Sequence, residues 1–337
     1  MPDNNRPVAL VTVFSGAVLQ RILDAVAAGP SPPIADWFIG TFGVNQAAAE
    51  AIAAVPGCRY APVFCIQPRT GKRTRLRRRL SPQEAAQLPD TTHAGEIPGT
   101  SAGEVIPAGD RRAWGIELGR RFRDEMRSAR ARGIKVDAWQ FDEVLGECGR
   151  PGANNPHRRF VGGVLRGLVA GRPRLGDRHE KGFVWAARTA VVGLPGLPFD
   201  GDVRAFSQDL SRAALFLVGE EYAEFTGDPT AVGRSFADGH QAFVRSGGAH
   251  RSLGHRYVVG MTPGWRPSST GLGGNVDAKS PPEVTRWRNS FLDARIAAQR
   301  PRGFAQFNFV KENVRPNRVE DAVDSLHHAC KQALSFN

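Results

Sequence analysis

An α/β barrel built from eight strand–helix units is the fold class that this sequence predicts, on three observations. Eight short apolar runs recur along 337 residues. Each is enriched in β-branched or aromatic residues, as strands are. Segments with helical periodicity separate them. Strands that alternate with helices require a parallel sheet, because parallel neighbours need a crossover element between them. The length suits one (β/α)8 TIM-type barrel, which takes about 250 residues plus insertions. An open doubly wound sheet is the rival architecture. Against it, the first turn, Phe14-Ser15-Gly16-Ala17, lacks the GxGxxG pattern of a dinucleotide site.

The runs are Val8 to Val13, Trp37 to Thr41, Ala61 to Ile66, Val136 to Phe141, Phe183 to Ala187, Leu215 to Gly219, Tyr257 to Met261 and Phe304 to Phe309. After the first, Val18, Leu19, Ile22, Leu23 and Val26 form an amphipathic stripe at helical spacing. Ala47 to Val55 follows the second run. Trp114 to Arg132, dense in i,i+4 charge pairs, precedes the fourth. Phe160 to Val169, Val203 to Ala213, Ala231 to Val244, Pro282 to Ala298 and Val319 to Leu334 fill the other intervals. Pro281-Pro282-Glu283 reads as a helix start, and Asn317 as the cap of the last helix.

Two connections exceed a simple turn: the stretch after the third run, with an insertion at about residues 68–110, and Pro263 to Lys279 after the seventh. Both leave C-terminal strand ends, the face where barrel enzymes keep their sites, and long loops there are commonly lids or substrate walls. No domain linker interrupts the pattern, so residues 1–337 are expected to form one barrel domain.

Composition narrows the function classes. Hydrophobic content of 41% and charged content of 23% describe a globular chain with a sizeable core. The net charge of +12 raises a nucleic-acid reading. Yet only six of the 45 basic residues are lysine, a bias that fits GC-rich coding better than a selected phosphate-binding surface. The dense cluster Lys72 to Arg79 has no aromatic residue interleaved, so base stacking is not indicated. Cys58, Cys65, Cys148 and Cys330 show neither CxxC spacing nor flanking histidines, so no metal or other cofactor is expected. No apolar stretch reaches the roughly 20 residues of a membrane helix. The first residues lack the pattern of a signal peptide, which favours a cytoplasmic location unless the sequence is a mature form.

Strand ends at the C-terminal face supply the candidate chemistry. Acids dominate there, and of eight histidines only His255 touches a run, at its N-terminal end. Zinc hydrolysis and Ser–His or Cys–His nucleophilic catalysis both need histidine at such positions. Carboxylates without histidine suit glycoside cleavage, in which one carboxyl group protonates the leaving oxygen and a second attacks the anomeric carbon or activates water. Alternation puts Ala138, Gln140 and Asp142 on one strand face, opposite Trp139, Phe141 and Glu143. Asp142 is the expected nucleophile or stabilising base. Glu220, sharing a face with Phe216 and Val218, is the expected general acid/base, with Glu143 and Glu221 as alternates. Tyr222 and Trp265 are candidate platforms for a sugar ring, Gln67 and Asn308 candidate hydroxyl contacts, and Arg188 and Lys311 candidate partners of an acidic sugar. The choice of Asn308 assumes that the face of Gln306 and Asn308 turns inward. Trp139 is expected to pack outward against helices.

On these residues the chain resembles (β/α)8 glycoside hydrolases in a general way, several families of which carry an acid on strand four and its partner on a later strand. The DxxDxDxE run of chitinase-like families is missing, since residues 135–143 read KVDAWQFDE, and so is the Asn-Glu pair of another large group. The resemblance implies a carbohydrate substrate and no named family. Two other readings stay open: a Mg²⁺-dependent lyase or phosphate-processing barrel using the same acids as oxygen ligands, and a non-catalytic barrel binding an anionic polymer through Lys72 to Arg79. Oligomeric state is not legible.

Overall fold

The computed structural model describes residues 6–13, 16–65, 111–144, 146–149, 151, 155–169, 182–187, 190, 194, 201–220, 227–246, 248–261, 281–307 and 318–335. In chain order the elements are β1 (Val8–Val13), α1 (Gly16–Ala27), β2 (Asp36–Thr41), α2 (Gln46–Ala53), β3 (Cys58–Tyr60), β4 (Val63–Cys65), α3 (Arg111–Ala131) and β5 (Gln140–Val144). A 3-10 turn (Gly146–Gly149), α4 (Pro156–Val169), β6 (Gly182–Ala187), α5 (Gly201–Ala213), β7 (Ala214–Glu220) and α6 (Pro229–Arg245) follow. The chain closes with α7 (Gly248–Gly254), β8 (Tyr257–Met261), α8 (Pro281–Gln299), β9 (Gly303–Phe307) and α9 (Arg318–Leu334). The strands form one parallel sheet in the order β3-β2-β1-β9-β8-β7-β6-β5-β4.

The sheet is strongly curled. Five steps of the strand order separate β2 from β6, which in a flat sheet would be about 24 Å at the usual spacing between strands. Instead the rings of Phe38 and Phe183, one on each of those strands, lie 4.9 Å apart. Phe183 in turn stacks on Phe216 of β7 at 5.6 Å. These three rings belong to an inner apolar cluster with Val8, Leu10, Ala61, Ala138, Trp185, Val218, Val258 and Ala305. The alternate residues of the same strands, among them Val11, Ile39, Phe141, Val184, Leu217, Val259 and Phe304, join the helices in an outer cluster. Burial on both faces explains why the strands read as unbroken apolar runs.

Where eight strands are expected, nine are found among the described residues, because a short strand, β3, precedes the third run, whose own strand is β4. Ala61 and Pro62 separate β3 from β4, and proline has no N–H to place in a ladder. The interrupted segment bonds in both directions. Ala61 N–H donates to Ile39 O (2.9 Å) and Gly43 N–H to Val63 O (2.9 Å), while Asp137 N–H donates to Tyr60 O (3.0 Å) and Gln140 N–H to Pro62 O (2.9 Å). The fourth strand also begins later than its apolar run suggests, at Gln140, where its pairing with Val63 starts. Helix α7 has no counterpart among the expected elements. The insertion at about 68–110, the basic cluster Lys72 to Arg79 and the connection Pro263 to Lys279 lie outside the described residues.

Helix placement follows the sequence pattern. Val18, Leu19, Ile22, Leu23 and Val26 are the buried face of α1. Asn45 caps α2 by accepting from Ala48 N–H at 3.0 Å, and Asp228 caps α6 ahead of Pro229. Trp139 packs in the outer cluster, as expected.

Helices α3 and α4 approach unusually closely. A Cβ on Gly119 would lie 2.1 Å from Val164 O, one on Gly163 2.4 Å from Arg112 O, and one on Gly167 2.1 Å from Ile116 O. A glycine inside a helix costs about 0.5–1 kcal/mol relative to alanine. Here that cost is offset by backbone-to-backbone packing that no side chain would permit. Across the outer layer, Arg112 bonds the buried Asp209 of α5, whose carboxyl burial pushes up and Arg112 draws back down. Arg158 of α4, fully buried, donates to Asp202 (3.0 Å) and to Cys148 O (3.0 Å).

His240 of α6 is also buried in this layer. Its Nε2 lies 3.1 Å from Gly254 O, and its ring lies 4.4 Å from that of Tyr257. Burial first, then the nearby Arg295, pushes its pKa down to about 4.

Two outcomes follow. Gly119→Ala and Gly167→Ala should each lower unfolding free energy by about 1–3 kcal/mol in urea titrations. Gly201→Ala, whose Cβ meets nothing within 4 Å, should stay within about 0.5 kcal/mol of wild type. For His240 the folded state resists protonation, so its contribution is complete above the unfolded value near 6.5 and is lost as pH falls from there towards 4. The size is on the order of 3 kcal/mol. The stability difference between wild type and His240→Leu should therefore shift by about that amount between pH 7 and pH 4. A pH-independent difference would contradict it.

Candidate functional site

Asp142 and Glu143 stand at the C-terminal end of β5, on an irregularity that the alternation alone does not show. Phe141 pairs with Val184 and Val144 with Ala186, so two residues of β5 face one residue of β6, Trp185. This is a β-bulge, an arrangement that re-aims side chains and is over-represented beside active sites. Phe141 and Val144 both pack in the outer cluster, whereas Trp185 belongs to the inner one. The two acids therefore occupy together the interval opposite an inward-facing residue. Asp142 is buried, at 6% exposure. Its neighbours in the same parity, Ala138 and Gln140, are buried as well, and Ala138 lies in the inner cluster.

Directly beneath the bulge, Gln140 carries a saturated hydrogen-bond network. Its side-chain oxygen accepts from Thr12 Oγ1 (2.8 Å) and from the Trp185 indole N–H (2.9 Å). Its amide nitrogen donates to Ala61 O (3.1 Å) and to Val11 O (3.4 Å). Gln140, Thr12 and Trp185 are all fully buried. The network needs Gly40, because a Cβ there would lie 2.4 Å from the Gln140 amide nitrogen and 2.0 Å from Ala61 O. Glycine within a strand is here a matter of close approach.

A second hydroxyl fixes the turn after β2. Asn45 N–H donates to Tyr60 Oη (2.9 Å), and Tyr60 O–H donates to Gly43 O (3.1 Å). Thr41 Oγ1 lies 3.1 Å from the same oxygen. Burial pushes the Tyr60 phenol up, partly offset by its bonds with Thr41 and Asn45. Gly43 takes φ 71° in this turn, a left-handed conformation suited to glycine.

Glu220 is the last residue of β7 and pairs in register with Ala187 of β6. It continues the parity of Phe216 and Val218, both in the inner cluster. Among the expected site residues, Asp142, Glu143 and Glu220 thus fall on strands β5 and β7, which flank β6. Glu221, Gln67, Arg188, Tyr222, Trp265, Asn308 and Lys311 lie outside the described residues. On β9, Ala305 belongs to the inner cluster and Phe304 to the outer one. Phe42 was not among the expected site residues. It follows β2, is half-buried and packs on the inner cluster.

Among the described residues no group of three or more His, Cys, Asp or Glu could hold a metal ion, and no helix is long and apolar enough to cross a membrane.

No protein-family model matches the chain, and no curated protein matches it. Solved structures do. An endo-β-N-acetylglucosaminidase from Cordyceps militaris is 8% identical with a TM-score of 0.41, covering 96% of this chain and 91% of its own. A GH27 β-L-arabinopyranosidase from Geobacillus stearothermophilus, in complex with arabinose, is 10% identical with a TM-score of 0.46, covering 97% of this chain and 77% of its own. Both neighbours are glycoside hydrolases, the general class that the sequence resembles. Likeness at this level carries neither activity nor site residues across.

Gln140→Leu keeps the side chain's bulk but strands the Thr12 hydroxyl and the Trp185 indole N–H in the interior. Each lost partner costs about 1–3 kcal/mol, so urea denaturation should show a loss of about 2–4 kcal/mol. A loss under about 0.5 kcal/mol would mean that the network contributes little to the fold.

Proposed function

We propose that this chain is a glycoside hydrolase, or a transglycosylase of the same chemistry, that cleaves glycosidic bonds with two carboxylates at the mouth of an eight-stranded (β/α)8 barrel. The barrel reading treats β3 and β4 as halves of one strand interrupted at Pro62. The hydrogen bonds that run from this segment towards β2 and towards β5 support it, as does the bridge between Phe42 and Val63. On this reading residues 1–337 are a single domain, with long loops after the third and seventh barrel strands.

The observation that carries the functional reading is the bulge at Asp142 and Glu143. An extra residue in a parallel ladder forfeits regular pairing, and here it falls at the two acidic residues of β5. Asp142, buried and in the inward parity, is the nucleophile or stabilising base. Glu220 is the general acid, with Glu143 and Glu221 as alternates. β5 and β7 are two strands apart, about 10 Å between axes, close enough for side chains to converge from both on one bond. Carboxyl separations of roughly 5 Å and of up to about 9.5 Å correspond to retention and inversion. Gln67, Tyr222, Trp265 and Asn308 are the proposed substrate contacts, with Arg188 and Lys311 answering the charge of an acidic sugar.

Asp142→Asn and Glu220→Gln should each lower kcat on the 4-nitrophenyl glycoside that wild type turns over by at least about 10²-fold, with melting temperature within a few degrees of wild type. Near-normal turnover in both variants would remove the assignment.

A further inference from the structure

Just past the C-terminal end of β2, Phe42 packs its side chain on the inner cluster and is held through its backbone and its sequence neighbours. Gly40 and the Gln140 side chain approach closely across the interior, since a Cβ on Gly40 would lie 2.4 Å from the Gln140 amide nitrogen. Phe42 and Asp142 each follow two residues later on those strands or at their ends. With strand side chains alternating between faces, both belong to the next layer towards the C-terminal side. Phe42 is half-buried and rests on the inner apolar cluster, while its backbone pairs with Val63. Tyr60 Oη holds the chain on either side of it, through Thr41 before and Gly43 and Asn45 after.

We infer that Phe42 is a substrate-binding residue, giving the apolar face of a sugar ring a flat surface beside Asp142, and that Tyr60 is a positioning residue for it. The inference rests on the glycosidase reading and deepens it. A pyranose or furanose presents C–H groups on one face and hydroxyls around its edge, so it needs an aromatic face and a polar group in one layer. Phe42 and Asp142 provide that combination. An aromatic ring tethered only by its own rotamers would lose side-chain freedom on binding. One whose backbone is already held on both sides loses less.

The test measures binding of glucose, galactose, arabinose and N-acetylglucosamine to the full chain by calorimetry, beside turnover of 4-nitrophenyl glycosides. Phe42→Leu retains apolar packing on the inner cluster but removes the flat ring. It should weaken sugar binding about 10-fold, equivalent to about 1.4 kcal/mol. KM should rise by a similar factor, with kcat within about three-fold and an unchanged pH profile. Phe42→Trp should restore binding, and Tyr60→Phe should raise KM without shifting the pH profile. Wild-type affinity in Phe42→Leu would overturn this inference alone, since the glycosidase reading is judged separately by loss of turnover in Asp142→Asn. Failure of wild type to bind any of the four sugars would likewise overturn this inference and leave the glycosidase reading to the Asp142→Asn and Glu220→Gln assays.

Discussion

The arrangement at the mouth depends on one buried amide. Gln140 joins β5 to β1 through Thr12 and Val11, to β6 through Trp185, and to the interrupted third segment through Ala61. An amide group has two donors and an acceptor oxygen with two lone pairs, and this one uses all of them with every partner inside the protein. Moving any of these strands by one residue would break bonds that water cannot reach to replace, at about 1–3 kcal/mol for each group left unpaired. Apolar contacts below, such as Phe38 on Phe183, tolerate small slips far better because dispersion is not directional. The aromatic rings fill the interior, and the amide sets its register.

That division explains where irregularity is allowed. The bulge at Asp142 and Glu143 sits immediately above a strand residue pinned by four hydrogen bonds, and opposite a Trp185 that Gln140 also holds. Disrupted pairing therefore does not propagate down β5. On the outside, the α3–α4 contact achieves rigidity by the opposite means, with glycines in place of side chains. Both devices keep the helix layer and the interior fixed while leaving the C-terminal side of the strands to be shaped by loops.

Much of this fold was legible in the sequence, and the failures have physical causes. Strand positions stood out because parallel strands buried on both faces are dense in β-branched residues, and the α1 stripe is the buried face of that helix. The same two-sided burial hid which face is inner. In the eighth run each parity begins with an apolar residue, so Ala305 inward and Phe304 outward had to come from the structure. Pairing is interrupted at Ala61 and Pro62, between β3 and β4, and Gly40 is where the Gln140 side chain approaches closely. What no periodicity could supply was the close approach of Gly40 to the Gln140 side chain, one hundred positions later, or the extra residue in β5. Phe42 was overlooked because it follows its strand by one residue and is separated from the acid it accompanies by the whole of α3.

The two ends of the inner face treat charge differently, and the difference bears on chemistry. Towards the N-terminal ends, Arg59 bonds the buried Asp36 at 3.3 Å and lies over the Phe38 ring at 5.4 Å. A charge there is met by an opposite charge, which suits stability and leaves nothing to react. Beneath the mouth the supporting layer is neutral. Because Gln140 has already committed its donors to backbone carbonyls and its oxygen to Thr12 and Trp185, it has no proton to offer the carboxylate above it. The layer beneath the bulge thus holds position with neutral hydrogen bonds alone, whereas the one at the N-terminal ends relies on an ion pair.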